Sequence, residues 1–240
     1  VEDLVVLEEW EKMKARFAAM LLCIALTSAA YATLLGTVNM QGHSNLYSEQ
    51  AHLWGGGLSG GNYYTGIYSW TNTGGTGWGT YVPNWGFCIE LTQAARNGWQ
   101  DVIPLAEAPL PIMPIFGTPM GSTKADYIRE LWGRNFDENW ISNPTTINKQ
   151  MAEAFGVAIW EIIFETDSVW NVNSGAGFHA TNVEQAATAN AWLAGLNGDS
   201  AYFAPNLVAT SDGQDYIVQI PEPMTIAFLA IGAIAILRRK

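Results

Sequence analysis

Between residues 33 and 92, short apolar and aromatic runs alternate with glycine and small polar residues, as in "WGGGLSGGNYYTGIYSWTNTGGTGWGTYVPNWGFCIEL". Runs rich in Tyr, Trp, Thr and Ile and bounded by glycine predict short strands joined by hairpins and loops, with Cys88 on the strand "FCIEL" at 87–91. No repeat of fixed length emerges. Prolines at 104, 109, 111, 114 and 119 then exclude a regular helix and predict an extended crossing loop, since each removes a backbone donor.

Helical spacing takes over next. "STKADYIRELWGRNF" predicts a helix from about Ser122, with Tyr127, Leu131 and Asn135 on one side. "NPTTINKQMAEAFGVAIWEIIFE" puts Met151, Phe155, Ala158, Ile159, Ile162 and Ile163 on one broad apolar face, which predicts an amphipathic core helix with Glu161 and Glu165 on its solvated side. A third helix is signalled by "TNVEQAATANAWLAGLNG", where Thr181 and Glu184 have capping-box spacing and Gly198 supplies a stop. Strands near Tyr202 to Val208 and Tyr216 to Ile220 flank a Ser-Asp-Gly turn at 211–213. The pattern predicts an α+β fold: a β-rich sandwich or barrel-like domain with a helical insertion.

Both ends carry a different pattern. Met224 to Leu237 is fourteen residues without a charge, followed by Arg238, Arg239 and Lys240. As a helix it would span roughly 21 Å, short of the ~30 Å hydrocarbon core, a gap that bilayer thinning or snorkelling of the cations closes. Cations beside such a segment favour the cytoplasmic side, so the preceding chain is expected outside. At the other end, "MKARFAAMLLCIALTSAAYA" at 13–32 has the three regions of a secretory signal peptide: Lys14 and Arg16, an apolar stretch from Phe17 to Leu26, and Ala30 and Ala32 before the cleavage point. Residues 1–12 hold five acids and one base, an odd prelude to a positive n-region, and translation is expected to begin at Met13. Residues 33–220 are then the extracellular domain, and 221–240 the C-terminal segment with a transmembrane helix at 224–237.

The C-terminal segment resembles the PEP-CTERM sorting signal of bacterial exported proteins. Pro221, Glu222 and Pro223, the apolar run, and Arg238, Arg239 and Lys240 occur in the family's order at the end of the chain. The resemblance implies Sec export, anchoring in the inner membrane, removal of the tail by an exosortase-type sorting protease, and a destination at the cell surface, outer envelope or extracellular polysaccharide matrix.

Charge narrows the partners. Residues 33–220 carry sixteen acids against five bases (Arg96, Lys124, Arg129, Arg134 and Lys149), a formal charge of −11 that disfavours nucleic acid and is compatible with cations or neutral glycans. Trp54, Trp70, Trp78 and Trp85 are candidate stacking faces for sugars, although such residues also cover half-buried sheets. Cys88 is the only cysteine outside the signal peptide, so no internal disulfide is expected, and it reads either as a buried small hydrophobe or as a reactive thiol.

A second resemblance concerns that cysteine. "FCIEL" at 87–91 and "AIWEIIFE" at 158–165 are similar to the two signature segments of thioester domains in bacterial surface adhesins. The resemblance implies a thioester between the Cys and a Gln two residues before the Ala-Ile-Trp run, opened by an amine on a host surface. The thiol matches as Cys88 and the helix as Ala158, Ile159 and Trp160, but the carboxamide position is Gly156. Gln150 lies on another face of the helix about 9 Å away along its axis, and Gln93 points to the opposite side of the strand from Cys88, so neither replaces the missing group.

Enzyme constellations are not evident. No glycine loop leads into a helix through Lys-Ser or Lys-Thr, and His43, His52 and His179 lack zinc-ligand spacing, so no metal or cofactor is expected. Glu161 and Glu165 stand one turn apart on one helix rather than across a cleft. The expectation is a non-enzymatic, exported surface or matrix protein in a structural or binding role; the alternative is an adhesin-like module that binds glycans or reacts through Cys88.

Overall fold

The structure, a computed structural model, describes residues 33–55, 58–110, 118–166 and 169–221. The expected signal peptide with Ala30 and Ala32, and the tail from Glu222 to Lys240, lie outside the described residues. Among the described residues no helix is long and apolar enough to cross a membrane.

Six antiparallel strands close into a barrel. A hairpin of two twenty-residue strands, β1 (Gly36–Gly55) and β2 (Leu58–Gly77), supplies two staves. The others are β3 (Trp85–Cys88), β4 (Gly98–Pro104), β8 (Leu207–Ser211) and β9 (Tyr216–Gln219). Around the wall the order is β1, β2, β3, β9, β8, β4 and back to β1, where Gly36 pairs with both Gly77 and Val102. Closure removes the open edges that a flat sheet would present to other chains. The small hairpin β5 (Pro109–Leu110) and β6 (Thr118–Pro119) lies in the proline-rich stretch, apart from the barrel sheet. The short strands predicted for 33–92 are thus partly one long hairpin. Its glycines mark bulges and bends as well as turns: the β1–β2 register shifts between Asn39 and Met40, Gln41 and Ser44, and Asn45 and Tyr47. Beyond these bulges β1 leaves the barrel and pairs through His52–Gly55 with β7 (Phe178–Thr181).

Strand alternation divides the core into two layers. Ile67, Phe87, Ile217, Ala209 and Ile103 face one another in consecutive pairs across five strands and are all buried on the outer side of the wall. Their neighbours in sequence turn inward, so Tyr68, Cys88, Tyr216, Thr210 and Val102 share the barrel interior.

The helical insertion covers the outer layer. It comprises α1 (Ser122–Asn135), α2 (Asn139–Ser142), α3 (Thr146–Phe164) and α4 (Ala186–Ala194). Thr145 caps α3 by accepting the Asn148 N–H at 3.3 Å. The predicted amphipathic face is exceeded: every residue from Ala152 to Phe164 is buried. Phe155 of this helix meets both the barrel, through Phe87 of β3, and the other helices, through Trp132 of α1, Trp140 of α2 and Trp192 of α4. Glu161 and Glu165 are therefore not on a solvated face. They are clamps: Glu161 accepts the Asn171 N–H at 2.7 Å, and Glu165 accepts those of Gly177 and Phe178 at 3.1 and 3.2 Å.

Two further expectations are corrected. Thr181 is not a helix cap, because β7 claims it opposite His52, and α4 begins later, at Ala186. Tyr202 is not on a strand but in a 3-10 turn, Ser200–Tyr202, and β8 starts at Leu207. The turn at 211–213 is present, with Asp212 at a positive φ of 81°.

Candidate functional site

Phe87 points to the helices, where its ring lies 5.1 Å from that of Phe155, so its neighbour Cys88 points into the barrel. Three hydrogen bonds hold Cys88. Its thiol donates to the Glu90 carbonyl at 2.7 Å, its carbonyl accepts Trp160 Nε1–H at 2.7 Å, and Sγ receives Gln214 Nε2–H at 3.1 Å. The segments "FCIEL" and "AIWEIIFE" are thus in contact, strand against helix. Burial pushes the thiol well above its usual range, the nearby Glu90 and Asp215 charges adding to the effect. The Gln214 N–H pulls the other way.

No spacing along the sequence points to Gln214. It lies in the β8–β9 turn, two residues before Tyr216, and Tyr216 pairs with Cys88. No motif marks it; only the β3–β9 register brings it to the thiol. Gly156, the position that would carry the family's carboxamide, has a different neighbourhood. A Cβ there would stand 2.9 Å from the Gly66 backbone nitrogen and 3.7 Å from the Phe87 ring, so a side chain is excluded by the close approach of α3 to β2. Gly66 has a φ of 103°, which glycine alone tolerates easily.

A polar chain continues from Gln214. Its Oε1 accepts the Tyr216 hydroxyl at 2.9 Å, and that hydroxyl oxygen lies 3.3 Å from His43 Nδ1. Which of the two donates across this contact follows the tautomer of His43. The imidazole stacks on Tyr216 at 5.7 Å and tilts against Trp70 at 5.9 Å, and burial lowers its pKa. His43 therefore reaches Cys88 only through Tyr216 and Gln214. None of the recorded bonds to Sγ comes from a base.

Two carboxylates flank this chain. Glu90 accepts the Thr92 and Gln93 N–H groups at 2.6 and 2.7 Å, tying the turn after β3. Asp215 is buried and its Oδ2 has no partner among the described residues. Burial, then the Glu90 and Asp212 charges, push its pKa up to about 8, so a proton is held there at neutral pH.

The four candidate sugar-stacking tryptophans do not converge. Trp70 is 4% exposed inside the barrel, against Tyr216. Trp85 is stacked on Phe136 at 5.5 Å and on Trp132 at 6.3 Å. Trp54 lies between His179, at 4.8 Å and nearly parallel, and His52, at 4.1 Å. Trp78 is exposed on a 3-10 turn. Among the described residues no group of three His, Cys, Asp or Glu could hold a metal ion. Compared with protein-family models, curated proteins and solved structures, the chain matches none.

Proposed function

We propose that the chain is exported through the Sec machinery, sorted through Pro221, Glu222, Pro223 and its cationic apolar tail by an exosortase-type protease, and retained at the cell surface or in the extracellular matrix in a non-enzymatic structural or binding role. The observation that carries this reading is the tail itself. The end of the fold is compatible with it: Ile220 N–H bonds to the Asn206 carbonyl at 3.1 Å as the last barrel contact, and Pro221 is exposed, so cleavage near Pro-Glu-Pro would leave the barrel intact. Intact mass spectrometry of protein recovered from the cell surface tests it. A mass ending near residue 220 is expected, whereas surface protein that keeps the tail would overturn the sorting step.

One observation favours a second reading, a covalent module. The Gln214 carboxamide touches Cys88 Sγ at 3.1 Å, which supplies in another place the group that Gly156 lacks. Attack of sulfur on the Gln214 amide carbon would form the C–S bond, break the C–N bond and release the nitrogen with the thiol proton as ammonia. The Tyr216 hydroxyl already donates to the oxygen on which negative charge would develop. An incoming amine would then form a new amide at Gln214 and return the proton to Sγ. Cys88 is buried while Gln214 is half-exposed, so the acyl group would be the part that an outside amine can reach. A mass deficit of one ammonia, abolished by methylamine, is the expected sign; the full calculated mass, unchanged by methylamine, would leave an unlinked domain.

A further inference from the structure

We infer that a groove between α1, α4 and the 3-10 turn Ser200–Tyr202 binds neutral oligosaccharide. The inference deepens the binding half of the reading above and does not depend on sorting or on Cys88.

The groove is a cavity of about 430 Å³ lined by Gly133, Arg134, Asn135, Ala191, Trp192 and Tyr202. Its size lies within the range of small-molecule sites, and it combines aromatic surface with a few placed polar groups. Trp192 is braced from beneath, its ring 6.0 Å from both Trp140 and Phe155. Tyr202 is 46% exposed and carries the Arg134 guanidinium over one face, 3.5 Å from the ring centroid. Gly133 lets α1 approach this turn: a Cβ there would overlap the Tyr202 carbonyl oxygen.

The polar groups are held before any ligand arrives. Arg134 is fixed through Nε and Nη2, each 2.8 Å from Glu130 Oε1. The Glu130 carboxylate is fully buried, and its other oxygen accepts the Asn197 and Gly198 N–H groups at 3.1 and 2.7 Å, anchoring the loop after α4. These bonds leave Nη1 of Arg134 for a ligand. Asn135 uses Nδ2 on the Leu131 carbonyl at 3.1 Å, which leaves its Oδ1. One planar donor, one amide acceptor and two aromatic rings on rigid supports suit a pyranose, with its apolar face and its equatorial hydroxyls.

Charge selects among sugars. Glu130 offsets the Arg134 charge, so the groove offers no net cation, and the −11 formal charge of residues 33–220 opposes an acidic polymer. Three of the four tryptophans picked out by sequence are poorer candidates. Trp70 is buried, Trp85 is stacked within the helix-facing cluster, and Trp54 has rings against it from both His52 and His179.

The test is calorimetric titration of the full chain, held in a detergent without a sugar headgroup, with cellohexaose, laminarihexaose and mannohexaose, and with hexagalacturonate as the acidic control. At least one neutral hexasaccharide is expected to bind, with hexagalacturonate weaker. Ala191→Arg, which fills the groove from an exposed helix position, should weaken binding about tenfold or more without lowering the thermal midpoint. Tyr202→Ala should weaken it as well. Cys88→Ala should leave it unchanged, which separates this site from the covalent reading, and binding in solution is independent of tail processing. Three results overturn the proposal: no binding of any neutral hexasaccharide, equal binding by the Ala191→Arg protein, or tighter binding of hexagalacturonate.

Discussion

Adjacent residues of one four-residue strand face opposite kinds of interior. Phe87 enters an aromatic stack in which Trp132, Phe136, Trp140, Phe155 and Trp192 meet at ring separations between 4.7 and 6.3 Å. Cys88, next to it, begins a chain of polar atoms through Gln214, Tyr216 and His43 inside the barrel. The first side is held by shape and area removed from water. The second buries polar atoms, and His43 Nε2, Trp70 Nε1 and Asp215 Oδ2 have no hydrogen-bond partner among the described residues, so its substitutions change chemistry and pH response more than packing.

The largest effect is expected on the aromatic side. Phe155→Ala empties a fully buried site and should lower stability by about 3–5 kcal/mol in denaturant titrations. A loss below about 1 kcal/mol would mean that the helices are not the main support of the wall. Next comes the seam between the two regions. Gly156→Ala should cost about 1–3 kcal/mol because its Cβ would press on the Gly66 nitrogen. Gly156→Gln, which introduces the residue type found there in the thioester domains, should be worse and produce no mass deficit. A stable, cross-linked Gly156→Gln protein would refute the reading that the close approach of α3 to β2 excludes a side chain at this position.

The polar side should answer to pH. Asp215 titrates near 3.8 when unfolded and at about 8 when folded, so between these values the folded state binds the extra proton. Stability contributed by that proton is fully present below the unfolded value and is lost as pH rises through about 8. Asp215→Asn should flatten this decline, and an unchanged slope would place its origin elsewhere, with Glu153, whose burial raises it to about 7, the next group to replace. The smallest stability change belongs to Gln214→Ala, about 1 kcal/mol or less, since it removes one bond to sulfur and one from a hydroxyl at a half-exposed position. Its signature is chemical: native-state alkylation of Cys88 by iodoacetamide should speed up, and a rate equal to the parent's would show that Gln214 does not shield the thiol.

Much of the framework was readable in the pattern. The start of α1 at Ser122, the position of α3, a strand at Cys88 and the turn at Asp212 all follow from local periodicity or turn chemistry, which act within a few residues. What was misread depends on neighbours distant in the chain. Glycines around 55–77 look like turns, yet several sit inside β2, because bulged strands in a closing barrel need residues that bend. Glu161 and Glu165 have the spacing of a solvated face, yet they are buried where backbone N–H groups of the 171–178 segment require acceptors. Thr181 resembles a cap until a strand partner takes it.

The sequence alone determined an acidic, aromatic α+β domain with Cys88 on a strand, and its two ends carry only the patterns on which the proposal of export and sorting rests. Periodicity, charge and terminal motifs are local properties, and they survive without knowledge of the fold. Tertiary structure alone decided what that cysteine meets. Gln214 is 126 residues from Cys88 in the chain, and only pairing of β3 with β9 brings carboxamide and thiol to 3.1 Å. The same holds for the groove between α1 and α4, whose Arg134 and Tyr202 are joined by helix packing and by no pattern along the chain.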